Sequence, residues 1–429
     1  MKILIKNGRV LNPDTNTDIT GDVLVYDDRV KAIGENINEA CDEVIDASGC
    51  FVMPGFIDLH VHFREPGFEY KETIKTGSMA AAAGGYTTVC PMPNTNPVID
   101  SPEMVRFIIE TAKRDAVINV LPIGAVTKGQ LGKEIADIKG MKEAGAVAIS
   151  EDGKSVMDVV TYKSAMKLAA EADIPVMAHC EEINLARGGV INESKKSEEF
   201  GLCGISNDVE DLIEARDIIL AKSTGARLHL CHCSTRASVA IVKGAKEAGV
   251  KVSAEVCPHH FSLTSSDITS DDGNFKMNPP LRERADVEAL IRGLSWGIMD
   301  AISTDHAPHS QEEKSRGLKD SPFGIVGLET AASLAFTRLV EPGFLSPLQM
   351  ADRMSAGPAR IIGIEKGSIS AGRIADIVIF DPSARRVVDK NTFFSKGRNT
   401  PFHGMELKGR VVRTIAAGKT VYDGENVIA

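Results

Sequence analysis

No apolar run in this chain approaches the roughly 20 residues that a membrane-spanning helix needs. The opening Met1-Lys2-Ile3-Leu4-Ile5-Lys6 is a short strand pattern and lacks the features of a signal peptide. Positive charge is also short. There are 49 Lys and Arg against 59 Asp and Glu, a net charge of −10. That balance argues against nucleic acid or an anionic membrane as partner. It also means that an anionic substrate needs local cationic groups to hold it. The eight cysteines contain no Cys-x-x-Cys pair. A structural thiolate zinc site therefore lacks its usual signature, and the scatter fits a reduced, cytoplasmic compartment.

What is present falls into three stretches. Residues 1–52 and 366–429 carry short strand patterns joined by tight turns, such as Asp22-Val23-Leu24-Val25-Tyr26 and Asp376-Ile377-Val378-Ile379-Phe380. The simplest account is one small β-sandwich domain built from both chain ends. Residues 53–365 alternate strand and helix. Strand patterns begin at Phe56, Tyr86, Val117, Ala146, Ile174, Arg227, Lys251 and Asp300, with helical segments such as 209–222 and 285–294 between them. This alternation predicts an α/β fold, a (β/α)₈ TIM barrel. An open doubly wound sheet would want a Gly-rich phosphate loop after its first strand, and none is there.

The chemistry gathers at the predicted strand ends. Phe56 to Arg64 alternates apolar and polar residues, which predicts a strand with Asp58, His60, His62 and Arg64 on one face. Alone, such a His-x-His pair is more often a hydrogen-bonded core feature. Here later strands end in Asp152, His179, His232 and Asp305. Four histidines and two aspartates facing one mouth are enough ligands for two metal ions sharing a carboxylate. Imidazole and carboxylate donors suit zinc, with manganese or cobalt as substitutes. Alternation turns Cys231 and Cys233 away from His232, as small packing residues. His229 and His403 read as structural, and His259 and His260 as packing or supporting groups. The polar segment 307–324 suits either a mobile loop over the site or a solvated surface loop.

These residues match a family. The chain resembles the amidohydrolase superfamily and, within it, the bacterial type I dihydroorotases. The resemblance spans essentially the whole chain. It is carried by Gly55 to Arg64, Pro91-Met92-Pro93-Asn94-Thr95, Ser150-Glu151-Asp152-Gly153, Ala178-His179-Cys180-Glu181, Cys257-Pro258-His259-His260, Lys276 to Arg282, Thr304 to His309 and Asn399 to Gly404. Hydantoinases and allantoinases share single motifs. The combination of His-x-His-x-Arg with Asn94 and Asn278 is more specific.

The resemblance implies that His60, His62 and Asp305 hold one zinc, that His179 and His232 hold a second, and that Asp152 bridges them. Many relatives use a carboxylated lysine as bridge, and Lys154 is the competitor here. A zinc-bound hydroxide would attack the ring carbonyl, with Asp305 as general acid/base. Arg64, Asn94 and His309 would hold the substrate carboxylate beside the ligand His62. Asn278 and the backbone at Phe323 and Gly324 would address the ureido edge. The implied reaction is reversible cyclisation of N-carbamoyl-L-aspartate to L-dihydroorotate in pyrimidine synthesis. The implied assembly is a homodimer, with aspartate transcarbamoylase as a possible associate. Two alternatives are an allantoinase or hydantoinase/dihydropyrimidinase, and a non-catalytic partner of aspartate transcarbamoylase. The last class of relatives has lost metal ligands, whereas this chain keeps the set.

Overall fold

The computed structural model describes residues 1–428. Among them no helix is long and apolar enough to cross a membrane.

Both chain ends enter one eight-stranded sheet. Lys2–Asn12 pairs antiparallel with Thr17–Tyr26 and parallel with Glu43–Asp46 and Phe51–Pro54. Phe51–Pro54 in turn pairs antiparallel with Ile377–Val387, so the N-terminal and C-terminal strands share one ladder. Glu406–Ala416 and Lys419–Tyr422 complete that edge. The sheet extends to Pro54, two residues past the boundary expected from sequence. Ile3, Ile5, Val10, Val23, Val25, Val52, Ile377, Ile379 and Ile415 form its own apolar core. Its other face turns Phe51 and Phe380 onto Phe336, with ring centroids 5.5–6.3 Å apart. Rings at that spacing lock the sheet to the helical layer.

Between these ends the strands are parallel and alternate with helices, an α/β arrangement. The first, Phe56–Val61, pairs with Tyr86–Pro91, which pairs with Asn119–Val120. After a break at Leu121-Pro122 the chain re-enters as Ile123–Ala125, beside Ala148–Ser150. Val176–Ala178, Leu228–Leu230, Val252–Val256 and Ala301–Ile302 follow in order. A parallel bridge from His306 to Val61, with His62 N–H donating to the His306 carbonyl at 2.8 Å, joins the last strand to the first. All parallel strands therefore end on the same side, and the residues just after them converge there.

Local side chains start the helices that follow the strands. Thr73 caps Ile74–Ala83 through a capping box, and Ser101 caps Pro102–Asp115 with Pro at its start. Apolar residues from six of the parallel strands, Ile57, Leu59, Cys90, Ile123, Ala148, Met177 and Ala301, and Cys231 just past a seventh meet Ala359 and Ile362 in a buried cluster. This packed cluster makes the surrounding strands a rigid frame for the groups at their ends.

Candidate active site

Each expected ligand lies at or just past a parallel strand's C-terminal end. The strand carrying the His-x-His pair stops at Val61. His60 is inside it, His62 just beyond, and Arg64 sits in a left-handed turn at φ 62°. The simple pleat that would put Arg64 on the His62 face therefore does not exist. A turn brings it there instead. His232 and Asp305 also have positive φ, at 38° and 48°. Non-glycine residues in that region carry strain of about 1–3 kcal/mol each, a pattern common at functional sites.

Asp152 stands at the centre. Its Oδ1 is 3.1 Å from His60 Nε2, 3.8 Å from His179 Nδ1 and 3.9 Å from His232 Nε2. Its Oδ2 is 3.6 Å from His62 Nε2. Asp305 Oδ1 lies 3.1 Å from His62 Nε2 and 3.6 Å from His60 Nε2. His179 Nδ1 and His232 Nε2 are 3.0 Å apart. All six side chains are buried. Lys154 is elsewhere: it is exposed and donates to the Gln130 carbonyl at 3.1 Å.

The far ring nitrogens of three histidines are each tied down. His60 Nδ1 faces Glu255 Oε1 at 3.3 Å, His62 Nδ1 donates to Asn94 Oδ1 at 3.0 Å, and His179 Nε2 faces Glu181 Oε2 at 3.0 Å. A ring nitrogen that donates outward leaves the other as a lone pair pointing inward, which is how proteins prepare histidine for a metal. His60 Nε2 is buried and has no hydrogen-bond partner. Ligand atoms of His60, His62 and Asp305 lie within 4.8 Å of one another, as do those of His60, Asp152 and His232. A buried nest of lone pairs and carboxylates fits metal cations.

The electrostatics agree. Burial alone would raise the Asp152 pKa, but His60, His62 and His179 hold it well below the usual carboxylate range. Burial is likewise overridden at Asp305 by the His62 hydrogen bond and the nearby histidines. His232 is pushed down to about 3 by burial and by His179 and His60. Both aspartates therefore stay ionised, and His232 stays a neutral donor.

Above the cluster is a cavity of about 150 Å³ lined by His62, Arg64, Asn94, Asp152, Asn278, Phe323 and Gly324 among others. Asn94 spans His62 and Asp152, since its Nδ2 also donates to Asp152 Oδ2 at 3.1 Å. Arg64 Nε donates to the Pro308 carbonyl at 3.2 Å, and its Nη2 lies 3.2 Å from His309 Nε2. Gly324 has φ 127°, and a Cβ there would meet Ala307 Cβ at 2.6 Å and His309 Nε2 at 3.3 Å. Only glycine lets this backbone come so close.

Two acidic groups, Glu255 and Glu181, escaped the sequence reading, while His260 supports the site as expected. Glu255, in the seventh parallel strand, faces His60 and also His229 Nε2 at 3.0 Å. His229 is thus part of the support behind a ligand. Cys231 is a buried packing residue, as expected, and its sulfur lies within 4.8 Å of His60 and Glu255. Glu181 follows His179 by two residues, a spacing that could have flagged it. His260 donates to the Pro279 carbonyl at 3.0 Å and so holds the turn that carries Asn278. His306, next to Asp305, turns away to Glu72.

Known proteins match this chain over its full length. A sequence model of the Dihydro-orotase-like family matches residues 49–238. A dihydroorotase of Bacillus cytotoxicus is 47% identical over 428 residues, covering all of both chains. One of Pelotomaculum thermopropionicum is 48% identical over 421 residues, 98% of each. Among solved structures, the L-hydantoinase (dihydropyrimidinase) of Arthrobacter aurescens superposes with a TM-score of 0.90 at 26% identity, covering 100% of this chain and 97% of that one. The dihydropyrimidinase of Brevibacillus agri gives 0.88 at 26% identity, with 100% and 96% covered. Near-half identity sustained along the whole length of both chains, on a frame shared with hydantoinases, means that this chain belongs to the dihydroorotase family of metal-dependent cyclic amidohydrolases.

Proposed function

We propose that the chain is a type I dihydroorotase, interconverting N-carbamoyl-L-aspartate and L-dihydroorotate with two zinc ions per subunit. In this reading the ring of parallel strands is a (β/α)₈ barrel, and the sheet from both chain ends is a separate small β-domain. His60, His62 and Asp305 hold one zinc, His179 and His232 the other, and Asp152 bridges. The exposed position of Lys154 favours Asp152 over a modified lysine. Bound zinc would activate water and polarise the ring carbonyl. Asp305, kept ionised, can take the proton of the attacking water and pass it to the leaving ring nitrogen. In the closing direction it must start protonated and recover a proton from the attacking ureido nitrogen. Ring closure removes a carboxylate charge and consumes a proton, so cyclisation should fall and hydrolysis rise as pH increases.

Arg64 carries the choice of substrate. It is half-buried, lies beside His309 and lines the cavity together with Asn94. No carboxylate lies within ion-pair distance of its guanidinium, and its fork suits a substrate carboxylate. Dihydroorotate has one there; dihydrouracil and hydantoin do not. The overall likeness to hydantoinases keeps the neutral-ring amides as the second reading. Assays with dihydroorotate, allantoin and dihydrouracil separate the two, with dihydroorotate expected to be turned over best. Arg64→Lys should raise KM for dihydroorotate by roughly one to two decades through loss of a charge-assisted hydrogen bond. Strong activity on dihydrouracil, with Arg64→Lys harmless, would sink this reading.

A further inference from the structure

Lys71 lies on the loop after the first parallel strand, and its side chain is only 13% exposed. Its ammonium is 3.1 Å from His309 Nδ1 and 2.8 Å from Glu313 Oε1. His309 is 5% exposed. On its other side, Nε2 is 2.8 Å from the Phe323 carbonyl and 3.2 Å from Arg64 Nη2. Burial and the cations Arg64, Lys71 and Lys314 push the His309 pKa down, so the ring is neutral and carries one hydrogen.

Hydrogen-bond logic decides where that hydrogen sits. An ammonium can only donate, so Nδ1 must offer its lone pair to Lys71. Glu313 Oε2, at 3.7 Å from Nδ1, is too far to accept from it. The hydrogen is then on Nε2, aimed at the Phe323 carbonyl. A guanidinium also only donates, so Arg64 cannot bond to a protonated Nε2. The Nη2 hydrogens are left for an anion in the cavity.

We propose that Lys71 is a positioning residue for carboxylate recognition: it fixes His309 as the Nε2–H tautomer, so that His309 and Arg64 both present hydrogens to the substrate. The proposal rests on the dihydroorotase reading above. An incoming carboxylate accepts from Arg64 Nη2 and from His309 Nε2–H, which exchanges the Phe323 carbonyl for the ligand. Without Lys71, the nearest polar group to Nδ1 on that side is the Glu313 carboxylate. It draws the hydrogen to Nδ1 and leaves a bare Nε2 lone pair facing the substrate's negative charge. Glu313 has a second role in the normal state. It takes Lys71 in an ion pair and accepts from Ser310 N–H, which caps the short helix Gln311–Lys314. Lys71 therefore also ties the loop after the first strand to the loop after the eighth.

The test uses full-length protein labelled with ¹⁵N-histidine, with His309→Gln as the assignment control. Long-range ¹H–¹⁵N spectra distinguish the two neutral tautomers. The wild type is expected to show His309 protonated at Nε2. In Lys71→Met the hydrogen should move to Nδ1, and KM for dihydroorotate should rise about tenfold, with kcat falling less and metal content unchanged. Lys71→Arg keeps a cationic donor and should restore the tautomer and most of KM. A wild-type His309 protonated at Nδ1 would overturn the proposal whether or not any variant folds. So would a Lys71→Met protein with wild-type tautomer and KM. If the wild type does not turn over dihydroorotate, the substrate reading fails and takes the carboxylate role of Lys71 with it; the spectra then report the tautomer alone.

Discussion

Asp152 shows how much depends on one position. Two residues on, Lys154 is the competing bridge, less favoured because it would need modification to supply a carboxylate. The Gly153 turn, at φ 77°, separates them, sending Asp152 into the cluster and Lys154 out to the Gln130 carbonyl. Asp152→Ala is therefore expected to lose about one metal equivalent and most activity, while Lys154→Ala keeps both; elemental analysis with a parallel assay measures it. The opposite pattern would identify Lys154 as the bridge. Sequence alternation reached His60 and His62, because both sit on or next to a strand. It did not reach Glu255, which faces His60 from a strand nearly 200 residues away. A hydrogen bond between remote strands leaves no local trace.

The segment between the eighth strand and Gly324 carries the clearest surprise among the elements. Polar composition allowed a mobile flap or a solvated loop. It contains two short helices, Gln311–Lys314 and Gly317–Asp320, and at its centre Lys314 is buried without an acidic partner. The Lys314 ammonium donates to the carbonyls of Lys276, Pro322 and Gly324 at 3.1, 3.0 and 2.9 Å. Two backbone segments around the cavity, at Lys276 and at Pro322 to Gly324, are thus held by one side chain. Burial and the neighbouring Lys276 pull the Lys314 pKa from 10.5 down to about 7. The folded protein then holds this proton less tightly than the unfolded chain. Between about pH 7 and 10.5 the unfolded chain binds more protons, so this group makes stability rise with pH. Its contribution is complete above 10.5 and is lost as pH falls to about 7. Lys314→Met should flatten that slope in denaturant titrations. It should also speed hydrogen exchange across 307–324, because three carbonyls lose their donor. An unchanged slope together with unchanged exchange would mean that the loop is held by other contacts.

At the scale of the whole molecule, metal bound at the buried His and Asp cluster would couple to folding. Two ionised aspartates and four imidazoles packed together are poorly solvated, and a cation that binds only the folded form stabilises it by mass action. At free metal a thousandfold above Kd, that amounts to about 4 kcal/mol. Exhaustive chelation is expected to lower Tm by several degrees and abolish turnover, with zinc restoring both. Scanning calorimetry of chelated and reconstituted protein checks it. Identical melting curves would mean that metal does not bind at the buried cluster.

The sequence alone determined the alternation of strand and helix, the β character of both ends and the ligand positions at strand ends. These are consequences of local periodicity and of residue types that suit a strand terminus, which one stretch of chain can express. Its strand boundaries ran long: the pattern from Asp300 to Thr304 shrinks to Ala301–Ile302 in the ladder, because Ser303 and Thr304 lie past the last pairing residue. Tertiary structure alone decided that Arg64 reaches the site by a turn and that Asn94 braces His62 and Asp152 together. It also decided that Lys71, Glu255 and Glu181 stand beside His309, His60 and His179. Those outcomes depend on distances between residues far apart in the chain. Such distances are set by how strands close and loops pack, a quantity that no local pattern encodes.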